Sequence, residues 1–296
     1  AFEDIGNGLY RFNLAFLKPT GLNARTLNRF FVNTANSVRG SIRDFEEKLG
    51  VFVQCCEERL LPYAPDEVEA YLKEYKEKGY PPVSHSEAYR KAYSPAYRIV
   101  SARYRDFFEV FSRIDALLES GDKVYAAIDG NSAAGKSMLA ELIGDVYDCN
   151  IFHMDHFFLT PELRTPDRLN ETGGNVDYVR FKNEVIEGLK SGKPFSYRVY
   201  DCSIGGFSRS VNVAQKDINI IEGSYSMHPM LREIYNLKIF LHVDEKEQSE
   251  RILRREGPDM HKRFMEEWVP LENRYFSEMK ITEQCDLVFD TGDIGA

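Results

Sequence analysis

The sequence predicts an α/β fold, a doubly wound parallel sheet preceded by an all-helical N-terminal domain. Three observations predict it. First, from residue 121 onward short apolar strands alternate with helical stretches, the pattern of βαβ units and a parallel sheet. Second, residues 130–137 read Gly-Asn-Ser-Ala-Ala-Gly-Lys-Ser, a complete G-x4-G-K-S loop directly behind the apolar run Val124-Tyr125-Ala126-Ala127-Ile128. Third, the first 120 residues carry apolar positions at helical spacing between glycine and proline breakers.

In the N-terminal region, helices are expected from about residue 25 to 49, closed by Gly50, and from about 65 to 78, closed by Gly79. After Pro95, the stripe Tyr97, Val100, Tyr104, Phe107, Phe108, Phe111, Ile114 and Leu118 predicts a third long helix ending at Gly121. This divides the chain into a helical domain, 1–120, and a nucleotide-binding domain, 121–296. Six basic residues and no acid lie between Ile5 and Arg43 (Arg11, Lys18, Arg25, Arg29, Arg39, Arg43), with Phe12, Phe16, Phe30 and Phe31 interleaved. Leu27, Phe30, Phe31, Val38, Ile42, Phe45 and Leu49 recur at helical spacing, so this stretch is expected to be a solvated helix face over a packed one.

In the second half, strands are expected at 123–129, 151–155, 217–222, 237–243 and 286–290. Helices are expected near 136–147, 176–190, 228–235, 245–256 and 260–279. The chain has 296 residues, a net charge of −9 and five cysteines without a C-x-x-C pair. Residues 1–120 hold 17 basic and 17 acidic side chains, so the whole acidic excess lies in the second half. That disfavours a nucleic-acid partner, which rewards clustered Lys and Arg. Neither a disulfide framework nor a zinc site is expected from the cysteines, and a reducing cytoplasm fits them best. No run approaches the roughly 18 apolar residues of a membrane span, and no secretory signal is expected at Ala-Phe-Glu-Asp.

The chemistry is read from strand ends, where ligands gather in open α/β sheets. In the loop, Gly130, Asn131, Ser132, Ala133, Ala134, Gly135, Lys136, Ser137 and Met138 would wrap the phosphates of ATP. Lys136 would reach the β- and γ-phosphates, and the Ser137 hydroxyl would hold Mg²⁺. Asp155 follows the strand Ile151–Met154 and is the candidate base for an attacking hydroxyl. Glu222 ends the run Ile218-Asn219-Ile220-Ile221 as the second acidic element around Mg²⁺. His153 and His156 have no companion at metal-ligand spacing. Arg251, Arg254 and Arg255 precede Gly257-Pro258, with Lys262 and Arg263 beyond, which suggests a cationic lid over the triphosphate.

Taken with His-Met-Asp-His-Phe-Phe at 153–158, Asn175-Val176-Asp177, Tyr200-Asp201 and Ile221-Glu222-Gly223, residues 122–291 resemble the uridine kinase family. More widely they are similar to the superfamily it shares with phosphoribulokinase and bacterial pantothenate kinase. The resemblance implies a P-loop kinase with Lys136 and Ser137 at the phosphates and Mg²⁺, Asp155 as base, Asp177 on the sugar hydroxyls, and Tyr200 in the substrate site; the lid is shorter than the family's, and Arg254 and Arg255 are its candidate ATP contacts. Where the family has a base-reading histidine, this chain has Gly205. The expected activity is transfer of the ATP γ-phosphate to a hydroxyl of a small metabolite, a nucleoside first. A pantothenate kinase-like enzyme or a P-loop ATPase switch with a partner-binding helical domain is the alternative. Homo-oligomerisation is compatible with the sequence, and the N-terminal region lies outside the resemblance.

Overall fold

The computed structural model describes residues 1–37, 40–292 and 294. Ten strands are described: β1 (Phe2–Asp4), β2 (Leu9–Asn13), β3 (Tyr97–Ser101), β4 (Val124–Gly130), β5 (Cys149–His153), β6 (Phe195–Asp201), β7 (Gly206–Val213), β8 (Ile218–Glu222), β9 (Leu237–His242) and β10 (Leu287–Asp290). Five of them form the parallel sheet in the order β10-β9-β4-β8-β5, all five being strands that the apolar runs predict. The strand carrying the glycine loop is central. It is buried on both faces, because Ala126 and Ile128 point into one apolar cluster while Ala127 points into the other.

The N-terminal region corrects the all-helical expectation. β1, β2 and β3 form an antiparallel sheet, with Phe12 opposite Phe2 on one side and Arg98 on the other. The stripe from Tyr97 begins as a strand and becomes helical only from Ala102, in helices Ala102–Asp106 and Phe108–Glu119. A short apolar run suits either state, and pairing with β2 decides it here.

The expected helix over 25–49 is two, Ala24–Ser37 and Ile42–Glu57, the second starting where the Ser41 side chain caps Asp44 N at 3.0 Å and running through Gly50. Val38 and Arg39, which belonged to the expected stripe and basic stretch, lie outside the described residues. Of the interleaved aromatics, Phe12 and Phe30 are buried, whereas Phe16 and Phe31 stay exposed. Gly121 sits in the expected turn, but Phe12, Phe30, Phe107, Phe111 and Ile114 share one apolar cluster with Val124, Ile128 and Leu139 beyond it. Side chains on both sides of the expected domain boundary therefore fill one core.

In the second half, the helix expected at 228–235 reduces to a single 3₁₀ turn, Arg232–Ile234. Between β5 and β8 the chain adds the hairpin β6–β7, which the sequence reading missed. Helix Glu245–Arg263 is broken at Gly257 (φ 78°, ψ 175°), then continues through a π-helical turn, Phe264–Trp268, into helix Val269–Glu278. Among the described residues no helix is long and apolar enough to cross a membrane.

Candidate active site

The glycine loop leaves the carboxyl end of β4 and enters helix Lys136–Gly144. Gly130 is required there by contact: a Cβ would lie 2.1 Å from the Leu241 carbonyl oxygen of β9, at a φ of 141° that L side chains rarely adopt. Asn131 N donates to the same carbonyl at 3.2 Å, which seats the loop against β9. Ala133 (φ 61°) and Gly135 (φ 90°) take left-handed backbone conformations on either side of Ala134, a curl of the kind that can cup an anion. The first-turn amides of the following helix have no partner within that helix. Lys136 folds back over the loop, its Nζ donating to the carbonyls of Gly130 (2.9 Å) and Asn131 (2.8 Å).

Strand register brings the acids to this loop. Glu222 ends β8 level with Ile128 on β4 and with His153 on β5. It is buried, accepts from the Ser137 hydroxyl at 3.1 Å through Oε2, and has His153 Nδ1 at 2.5 Å from Oε1. That hydrogen bond, reinforced by the carboxylate charge, raises the His153 pKa against the opposing effect of burial. Asp155 lies one residue past His153–Met154, in the 3₁₀ turn Met154–Phe157. The residue as a whole is exposed, yet surrounding protein desolvates its carboxyl and holds its pKa above the usual range. The Glu222 charge adds to the rise, and Lys136 and His153 oppose it. His156 stays neutral, its pKa pushed down to about 4 by burial and by neighbouring cations.

Three residues that the motifs do not announce hold the site together. Asp129, fully buried just before Gly130, accepts from Gly130 N (2.8 Å), Tyr225 N (3.2 Å), Met227 N (3.0 Å) and the Tyr275 hydroxyl (2.8 Å). It thereby ties the glycine loop, the segment after β8 and helix Val269–Glu278 to one carboxylate. Tyr225 keeps a positive φ of 74°, unusual for a bulky residue and a sign of a backbone held by its surroundings. Glu272 accepts from Ser132 N (2.9 Å), Ser132 Oγ (2.6 Å) and Ser224 Oγ (2.7 Å), and Gln248 Nε2 donates to Ser132 O at 3.1 Å. Ser132, assigned to phosphate by the motif, thus has its amide, hydroxyl and carbonyl engaged by protein. Only an acid directly behind the strand could have signalled Asp129; Glu272 and Gln248 have no local signal.

The remaining candidates divide. Asp177 caps helix Tyr178–Phe181, accepting from Arg180 N at 2.9 Å, and lines a cavity of about 850 Å³ with Arg168, Arg180 and Glu184. Lys136, Asp155 and Glu222 do not line this cavity. Its link to them is Arg180, which donates to the His156 carbonyl at 2.6 Å and stacks over Phe157 at 4.2 Å. Tyr200 is buried edge-on against Phe207 of the hairpin, at 5.9 Å between ring centroids. Arg254 and Arg255 are exposed, and Arg255 pairs with Glu256 at 2.7 Å rather than with the loop. Arg251 of the same helix does reach the loop, with Nη1 3.5 Å from the Ala133 carbonyl and Nη2 2.7 Å from the Thr291 carbonyl. Arg254 and Arg255 follow one helical turn after Arg251 and stay exposed.

No protein-family model and no curated protein matches the chain. Among solved structures, a possible uridine kinase from Bacillus stearothermophilus is similar at 21% identity over 62% of this chain and 100% of that one, with a TM-score of 0.46. A shikimate kinase from Bacteroides thetaiotaomicron is similar at 15% identity over 56% of this chain and 85% of that one, with a TM-score of 0.32. An uncharacterized protein from Eubacterium ventriosum is similar at 13% identity over 58% of this chain and 90% of that one, with a TM-score of 0.35. The functional reading therefore rests on the geometry of the site.

Proposed function

We propose that this protein is an ATP-dependent phosphotransferase acting on a hydroxyl of a small metabolite, a nucleoside being the first acceptor to test. The observation that carries the reading is the convergence of a complete phosphate loop with two acids on adjacent strand ends. Lys136 and the loop amides are placed for an anion, the Ser137 hydroxyl sits on Glu222, and Asp155 lies close enough to Glu222 to feel its charge. Phosphoryl transfer asks the protein chiefly for positioning and charge neutralisation, and these groups supply both.

The donors also suit Mg²⁺, a hard cation that takes oxygen ligands and keeps waters and phosphate oxygens for the rest. Ser137 and Glu222 would hold it, and it would neutralise charge on the phosphates. Asp155 takes the proton of the attacking hydroxyl. Its raised pKa moves it toward the range where a base both binds and releases a proton near neutrality. Asp177 and Arg180, which line the neighbouring cavity, would orient the acceptor from there.

The test is an ATP-consumption screen with Mg²⁺, comparing no acceptor with nucleosides, pantothenate and small sugars, using Lys136→Ala as the blank. Acceptor-dependent turnover supports the kinase and names its substrate. Turnover that ignores every acceptor supports the ATPase switch instead.

A further inference from the structure

The two helices that flank the lid both end on one residue of the phosphate loop. Helix Glu245–Arg263 reaches Ser132 through Gln248, which is 2% exposed, and helix Val269–Glu278 reaches it through Glu272, which is 5% exposed. Between these roots the chain changes character. Ile252 and Val269 are buried, but no residue from 253 to 268 is, and this span contains the break at Gly257. The lid therefore stands off the body as a poorly packed segment, of the kind that opens at small free-energy difference. Its anchors, by contrast, are buried polar side chains that lose their partners if Ser132 shifts, and an orphaned buried carboxylate is strongly disfavoured.

The geometry points to Glu272, assisted by Gln248, as a positioning residue that couples phosphate binding in the glycine loop to closure of the lid. The inference rests on the nucleotide-binding reading of the loop. Ser132 is the shared element: phosphate entering the curl adjusts the loop backbone, and three hydrogen bonds to its amide, hydroxyl and carbonyl carry that adjustment to both lid roots. Glu272 also holds Ser224, two residues after Glu222, so the acidic strand end moves with the same joint. Tyr275, one turn beyond Glu272 on the same helix face, adds the bond to Asp129 and fixes that helix against the strand end. Coupling of this kind is reciprocal: if nucleotide favours the closed lid, the closed lid favours nucleotide by the same factor.

Trypsin cleavage after Arg254, Arg255, Lys262 and Arg263, followed by mass spectrometry, reads the lid directly, and a non-hydrolysable ATP analogue with Mg²⁺ is the probe. In the wild-type protein the analogue is expected to slow cleavage at these four sites. In Glu272→Ala, which removes both acceptor oxygens from Ser132, protection at saturating analogue is expected to disappear and affinity to fall roughly 5- to 150-fold, the usual span of such couplings. Gln248→Ala cuts the other root and is expected to do the same, more weakly, if the first variant fails to fold. Weakened binding with full protection at saturation would make both residues merely structural and overturn the proposal. Wild-type binding without lid protection would overturn the coupling while leaving the nucleotide site intact. Failure of the wild type to bind the analogue would overturn the underlying reading together with it.

Discussion

Replacing Asp129 by Asn probes the joint on which the site is built. Burial raises the Asp129 pKa from 3.8 to about 6, although bonds from Met227 N, the Tyr275 hydroxyl and Gly130 N, and the Lys136 charge, all favour the carboxylate. The native state therefore holds this proton more tightly than the unfolded chain does. Between about pH 4 and pH 6 the folded protein binds more protons, so stability falls as pH rises through that window and levels off above it. The gap is worth about 3 kcal/mol at about 1.4 kcal/mol per pH unit, and full burial leaves no solvent to screen it.

Asn cannot titrate, and its NH₂ faces the Met227 amide, an orphaned contact that costs about 1–3 kcal/mol at every pH. Urea unfolding of both proteins across the pH range isolates the slope, because every other titrating group, His153 included, is common to the two. The wild-type stability minus that of Asp129→Asn is expected to drop by about 3 kcal/mol from about pH 4 to about pH 7. A difference that stays flat over that range would refute the placement of a desolvated, titrating carboxyl at the root of the loop.

Three other perturbations separate the chemistry from its scaffold. Asp155→Asn is expected to lower kcat by about 10²–10⁴ in the acceptor-dependent assay while nucleotide affinity stays near wild type, as for loss of a general base; an unchanged kcat would remove Asp155 from the reaction. Gly130→Ala drives a Cβ into the Leu241 carbonyl, and thermal unfolding should report a loss of several kcal/mol, about 1–3 from backbone strain and a similar amount from the clash. Glu222→Gln keeps a hydrogen-bond acceptor for Ser137 but removes the charge, so a titration of rate against Mg²⁺ should shift to higher concentration with the fold intact.

Much of the site was legible in the residues because its signals are contiguous. The loop from Gly130 to Ser137 needs a strand before it and a helix after it, and both are written next to it. Asp155 and Glu222 follow apolar runs, and a parallel sheet delivers every strand end to the same edge, so reading two strands sufficed to bring the two acids together. The region before residue 121 was less legible. The stripe from Tyr97 to Val100 fits a helix face as well as a strand, and only pairing with residues 9–13, far away in the chain, selects the strand.

Local pattern thus determined the glycine loop, the five parallel strands and the acids at their ends. Tertiary structure decided the strand order, the antiparallel sheet at the N-terminus, the shared core across residue 121 and the clamp on Ser132. Glu272 reaches Ser132 across 140 positions and Tyr275 reaches Asp129 across 146, separations that no periodicity encodes. The physical reason is that a motif lowers the free energy of its own conformation, whereas a buried polar contact between distant residues forms only once packing of the intervening chain has excluded water and brought donor to acceptor.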